Sequence, residues 1–197
     1  MESLKSEDSF DAKIVRKKGN YDMLGIHGKY IFKCFDKTRK LKWEDTIENV
    51  VTTLGKNELL DKALSGSGFT VVGPFMGLIS SVDYTGIPVA ADTMTSHATW
   101  FEVDATSHFP TIAARLTTDG RWSPAAGGMK ALTSPISFTI ITMGGTIKGG
   151  FLVFGAGAVD TLGSTSGILL SAGLFTGGDK VVEVDDIVEA SYSLTLN

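Results

Sequence analysis

One cysteine in 197 residues leaves no intrachain disulfide framework to staple the fold. Three histidines, at positions 27, 97 and 108, are too scattered to supply the common zinc spacings, and neither C-x-x-C nor H-E-x-x-H occurs. Charged residues are also scarce, at 20% with a formal net charge of -4, a balance too mild to name nucleic acid, a membrane surface or an acidic substrate as partner. No apolar run approaches the ~18 residues needed to span a bilayer. The opening MESLKSEDSFDAKIVRKK mixes both signs of charge and lacks the apolar stretch of a secretory signal. The chain reads as soluble, with Cys34 as a small packing residue rather than a reactive thiol.

What the sequence does have is glycine, 23 residues of it, alongside 43% apolar residues. That combination favours strands punctuated by turns over helices. The length suits one domain or two small ones, and a globule of this size buries roughly 70% of its unfolded surface. Charge is unevenly spread: residues 1–62 hold 13 of the 18 basic and 11 of the 22 acidic groups. Residues 1–28 show no sustained period and read as an extended arm, in which Lys13, Arg16, Lys17 and Lys18 are the candidate partner contacts. Residues 29–197 read as one β-domain.

Within that domain, Tyr30 to Phe35, a polar turn at Asp36 to Lys40 and Leu41 to Glu44 predict a hairpin. A short helix is expected over residues 53–65, capped by Thr53, with Leu54, Leu59, Leu60, Ala63 and Leu64 on the face that packs. Seven apolar runs follow: 69–79, 98–103, 112–116, 136–143, 147–154, 168–175 and 181–196. The last is the clearest strand, because Val188, Ala190, Tyr192, Leu194 and Leu196 alternate with polar residues. The expected fold is mainly β, an antiparallel β-sandwich of jelly-roll or Ig-like type, with one short α-helix and the N-terminal arm.

Chemical motifs fail one by one. Phe151 to Asp160 offers a strand followed by G-x-G, but Asp160 stands where a third small residue belongs and no helix follows to hold a pyrophosphate. Gly163 to Gly167 puts threonine where a nucleophile elbow needs serine. The acid pairs Glu44 with Asp45, Asp185 with Asp186, and Glu102 with Asp104 are the residue types glycoside hydrolysis uses, which needs two carboxylates about 5 to 9 Å apart, a distance that sequence does not supply. The last pair reads as solvated, two apart on one strand face. Trp43, Trp100 and Trp122 are not interleaved with basic residues, so packing is their default and no nucleic-acid groove is expected. No catalytic, cofactor-binding or metal-binding residue emerges, and no cofactor is expected.

One resemblance remains. The run from Trp43 to Asp61 resembles the opening segment of small virion structural proteins of tailed bacteriophages. The likeness extends through Met76-Gly77-Leu78-Ile79, Tyr84-Thr85, Ala91-Asp92-Thr93-Met94 and the stretch Ser96 to Glu102. It continues at Lys130-Ala131-Leu132 and from Ser171 to Asp179, covering about residues 30–197. The resemblance implies a capsid decoration (cement) protein of the mature head, with the major capsid protein as partner, self-association as a dimer or trimer at symmetry axes, and a place in the virion. A tail or head-fibre component contacting the host surface is the alternative, and a small hydrolase the reading from another class.

Overall fold

Strand alternation starts earlier than the sequence suggests. In β1 (Ile26–Phe35) the residues Gly28, Tyr30, Phe32 and Cys34 are buried while His27 and Lys29 face water. In this computed structural model, which describes residues 25–64 and 72–196, positions 26–28 therefore belong to a strand and not to the expected arm. Lys13, Arg16, Lys17 and Lys18 lie outside the described residues. The turn after β1 is built by Asp36, whose Oδ1 accepts the N–H groups of Thr38 and Lys40, with Arg39 in the left-handed region at φ 67°. It returns the chain as β2 (Leu41–Val51), antiparallel to β1, as expected.

The other strands are β3 (Phe75–Ser80), β4 (Leu116–Thr117), β5 (Met129–Ala131), β6 (Ile136–Thr139), β7 (Gly145–Phe154), β8 (Ile168–Leu174), β9 (Lys180–Val182) and β10 (Ile187–Leu196). All named pairings are antiparallel. They join in the order β4-β3-β7-β8-β2-β1-β10-β5, with β6 also on β10 and β9 on β7. The result is a single curled sheet, a half-barrel, in which β2 pairs with β1 over most of its length and with β8 at Val50 and Val51. The mainly β, antiparallel expectation holds at that level.

Curling brings one face of the sheet inward, and its core takes Tyr30 and Phe32 from β1, Ile47 from β2, Leu78 from β3, Leu152 from β7 and Val188 from β10. Close approach needs glycine at Gly150, where a Cβ would lie 2.6 Å from the Phe32 ring. The alternation expected at the C-terminus is present in β10, where Val188, Ala190 and Tyr192 are buried. Two other apolar runs are not strands. Residues 98–103 make one isolated bridge, Ile79 with Glu102, and residues 112–116 contribute only the start of the two-residue β4. Packing on loops, not sheet pairing, makes these runs apolar.

The helix α1 (Thr53–Leu64) is where expected, but its cap and its buried face are not. Thr52, not Thr53, accepts the Gly55 N–H through Oγ1 at 3.0 Å, and the Lys56 N–H through its carbonyl. The Thr52 hydroxyl also donates to the Leu169 carbonyl, tying the helix start to β8. The surface that meets β8 is Gly55, whose Cβ position lies 2.8 Å from the Leu170 carbonyl. Of the expected stripe only Leu59 packs on the core; Leu54, Leu60 and Leu64 stand 45%, 47% and 80% exposed, and Ala63 is exposed. The approach of backbone to backbone at Gly55 fixes the roll of the helix before its leucines can choose. Thr52→Ala should cost about 1–2 kcal/mol in urea unfolding, whereas Thr53→Ala should stay within about 0.5 kcal/mol.

Candidate functional site

Between β3 and β4 the chain runs through a long irregular segment that forms one wall of a cavity of about 380 Å³. Trp100 anchors that wall. Its ring is fully buried 5.5 Å from Phe151 of β7, and its indole N–H donates to Asp92 Oδ2 at 2.9 Å, an oxygen that also accepts the Val89 N–H. Backbone bonds from Ser80 N to the Phe101 carbonyl and from Val103 N to the Leu78 carbonyl hold the next residues to the edge of β3. The segment needs no strand because these anchors replace a ladder.

Fixing Trp100 and Phe101 places two imidazoles. The His97 ring stacks on Trp100 at 4.0 Å and the His108 ring on Phe101 at 4.7 Å. Next to the latter, Asp104 closes its own turn: Oδ1 accepts the N–H groups of Thr106, Ser107 and His108, and Oδ2 faces His108 Nδ1 at 2.7 Å. Burial pulls the Asp104 carboxyl upward, but the amide of Ser107, the His108 imidazole and the amides of Thr106 and His108 together hold it well below the usual carboxylate range. His108 Nε2 lies 3.5 Å from Asp83, so the ring bridges two carboxylates.

The floor of the cavity is an ion pair. Arg115 Nε and Nη2 donate to Glu102 Oε1 and Oε2 at 2.8 and 2.7 Å, a bidentate contact. Both residues are buried, at 2% and 7% exposure. Arg115 also donates to the Val159 and Ser164 carbonyls, and Gly163 N–H to Glu102 Oε2. Its guanidinium lies 5.5 Å from the Phe151 ring centre. The pair thus clamps loop 159–164 against the wall that Trp100 anchors.

Several readings of the residues change here. Glu102 is not solvated and does not share a strand face with Asp104: one is buried against Arg115, the other closes a turn. Arg115 escaped sequence reasoning, although a lone arginine inside the apolar run 112–116 was the available signal. Asp45 is buried and meets Lys180 at 3.0 Å; Asp186 is buried and meets Lys42 at 2.6 Å. Glu44 faces Lys33. The expected turns at Gly155 and Gly157 have positive φ, and Gly163 to Gly167 is loop, as expected. Cys34 is fully buried, and its burial with the nearby Asp186 pushes the thiol up to about 12. Among the described residues no group of three or more His, Cys, Asp or Glu is placed to hold a metal ion, and no helix is long and apolar enough to cross a membrane.

Chemically, the carboxylates that line this cavity are engaged in structure, beside two imidazoles, hydroxyls and the buried Arg115 guanidinium. Compared with known proteins, the chain matches no family model and no curated protein.

Two outcomes follow from these contacts. Arg115→Met should destabilise the protein by about 3–5 kcal/mol because it strands a buried carboxylate, and the double variant with Glu102→Leu should recover part of that loss in urea unfolding. For Asp104, a folded carboxyl held below its ordinary value of 3.8 contributes stability that is complete above that value and drains away as pH falls through it. The gap in melting temperature between wild type and Asp104→Asn should therefore be wide at about pH 6 and narrow towards about pH 3.

Proposed function

We propose that the protein is a virion structural protein of a tailed bacteriophage, a capsid decoration (cement) protein that binds the major capsid protein and stabilises the mature head. The observation that carries this reading is where the exposed apolar side chains lie. Leu41, Ile141, Met143, Val181 and Val184 are 42–60% exposed. The segments that hold them meet at one end of the sheet: Asp185 N–H donates to the Ile140 carbonyl, and Trp43 donates to the Val181 carbonyl. A monomer with no partner rarely leaves such side chains together in water. At another place, α1 and β5 border an apolar cavity of about 440 Å³ lined by Leu59, Trp122, Phe154, Leu170, Tyr192 and Leu194.

A rigid β-domain with modest apolar contact surfaces suits a repeating lattice, where many weak sites raise occupancy without any one tight contact. Self-association at symmetry axes would use the same kind of surface. In this reading the curled sheet is a variant of the jelly-roll or immunoglobulin-like sandwich, with β2 passing between the layers. Lys13, Arg16, Lys17 and Lys18 of the N-terminal sequence would add charge for acidic shell patches.

Co-sedimentation of the full chain with expanded phage heads, and separately with isolated tails, tests the proposal. Saturable binding to heads is expected, weakened at least about tenfold by the triple change Ile141→Ser, Val181→Ser and Val184→Ser. Binding to tails alone, or to neither, overturns it.

A further inference from the structure

We infer that the cavity between Trp100 and loop 159–164 is a binding site for a neutral polyhydroxylated ligand, a mono- or disaccharide unit. The inference is independent of the assembly role and rests on which groups the fold leaves unspent. Its volume of about 380 Å³ lies in the lower range for small-molecule sites. Its floor is a buried bidentate ion pair, a built feature that few surface dents possess.

Charge excludes the first alternative. The Arg115 guanidinium is matched by Glu102 at 2.7 Å, and Asp104 and Asp83 add two further carboxylates beside His108, so a phosphate or carboxylate ligand meets net repulsion. Saturation excludes the second. Glu102 already accepts from Arg115 Nε, Arg115 Nη2 and the Gly163 amide, and Asp104 accepts from three amides, two hydroxyls and an imidazole. The two carboxylates that line the cavity are thus already saturated with donors.

The unspent groups are single hydrogen-bond donors and acceptors. His97 Nδ1 lies 2.8 Å from the Trp100 carbonyl, which can only accept, so Nδ1 donates there and Nε2 is the ring nitrogen left for a ligand. The hydroxyls of Ser96 and Thr165 line the cavity and have no hydrogen-bond partner among the described residues. Arg115 spends four of its five N–H groups, leaving one on Nη1. Met94, Ala98 and Phe101 supply apolar surface to the same cavity. An array of hydroxyl-sized donors and acceptors around an apolar and aromatic wall matches a pyranose, which presents hydroxyls at its edge and C–H groups on its face.

The full-length protein can be titrated with glucose, galactose, mannose, N-acetylglucosamine and lactose, with inorganic phosphate as the charge control, using saturation-transfer NMR and the histidine ring resonances. Millimolar binding of at least one sugar is expected, with the His97 resonances shifting and phosphate silent. His97→Phe keeps a ring on Trp100 but removes Nε2, and should weaken that sugar about tenfold. The exposed pair Ser96→Ala with Thr165→Ala should do likewise, and serves if His97→Phe fails to fold. Silence from every sugar, binding of phosphate instead, or equal sugar affinity in a folded variant overturns the inference. Because head binding by the apolar end is read separately, failure here leaves the assembly proposal standing, and the reverse holds too.

Discussion

The passage of β2 from one half of the sheet to the other is the constraint on which the rest depends. From Leu41 to Asn49 its partner is β1; at Val50 and Val51 the partner becomes β8. A strand that serves both halves forces the sheet to curl, and curling creates the enclosed core. The chain then reinforces the corner immediately, since Thr52, next in sequence, donates to the Leu169 carbonyl, accepts the Leu170-facing Gly55 amide, and takes its own N–H to the Leu170 carbonyl.

A polar clasp spans the same region inside the core. Tyr30 Oη and Ser171 Oγ lie 2.7 Å apart, and the Ser171 hydroxyl reaches Tyr192 Oη at 3.2 Å, so β1, β8 and β10 share one buried network. Burial pushes the Tyr192 hydroxyl up to about 12 and Tyr30 well above its ordinary value, so both stay protonated, and Tyr192 accepts from the Ser171 hydroxyl. Asn49 donates to Tyr192 through Nδ2 while its Oδ1 is buried without a partner. Such a network costs desolvation, and what it returns is a unique register across the curl.

The cavity wall obeys the same logic on a smaller scale. A buried tryptophan, a saturated aspartate and a buried ion pair position loops that have no ladder of their own. Structural use of Glu102 and Asp104 also shapes the chemistry: each is held by donors of the fold, beside hydroxyl, imidazole and apolar surface.

The hairpin at Asp36 to Lys40, the alternation of β10 and the existence of one helix were legible in the sequence, because each rests on residues close in the chain: an aspartate closing its own turn, side chains two apart, a helical run following a threonine pair. The run 98–103 misled as a strand, since apolar composition reports burial and not the partner that provides it. The leucines of α1 misled for a related reason: the contact of Gly55 with β8 sets which face turns inward. Arg115 met Glu102 only through folding, thirteen residues and a loop away. Sequence by itself determined the class of fold, the turns and the strand periods, which are local. The curl of the sheet, the exposed apolar end and the ion pair beneath the cavity were decided by tertiary structure, because each depends on which distant groups pair with or cover one another.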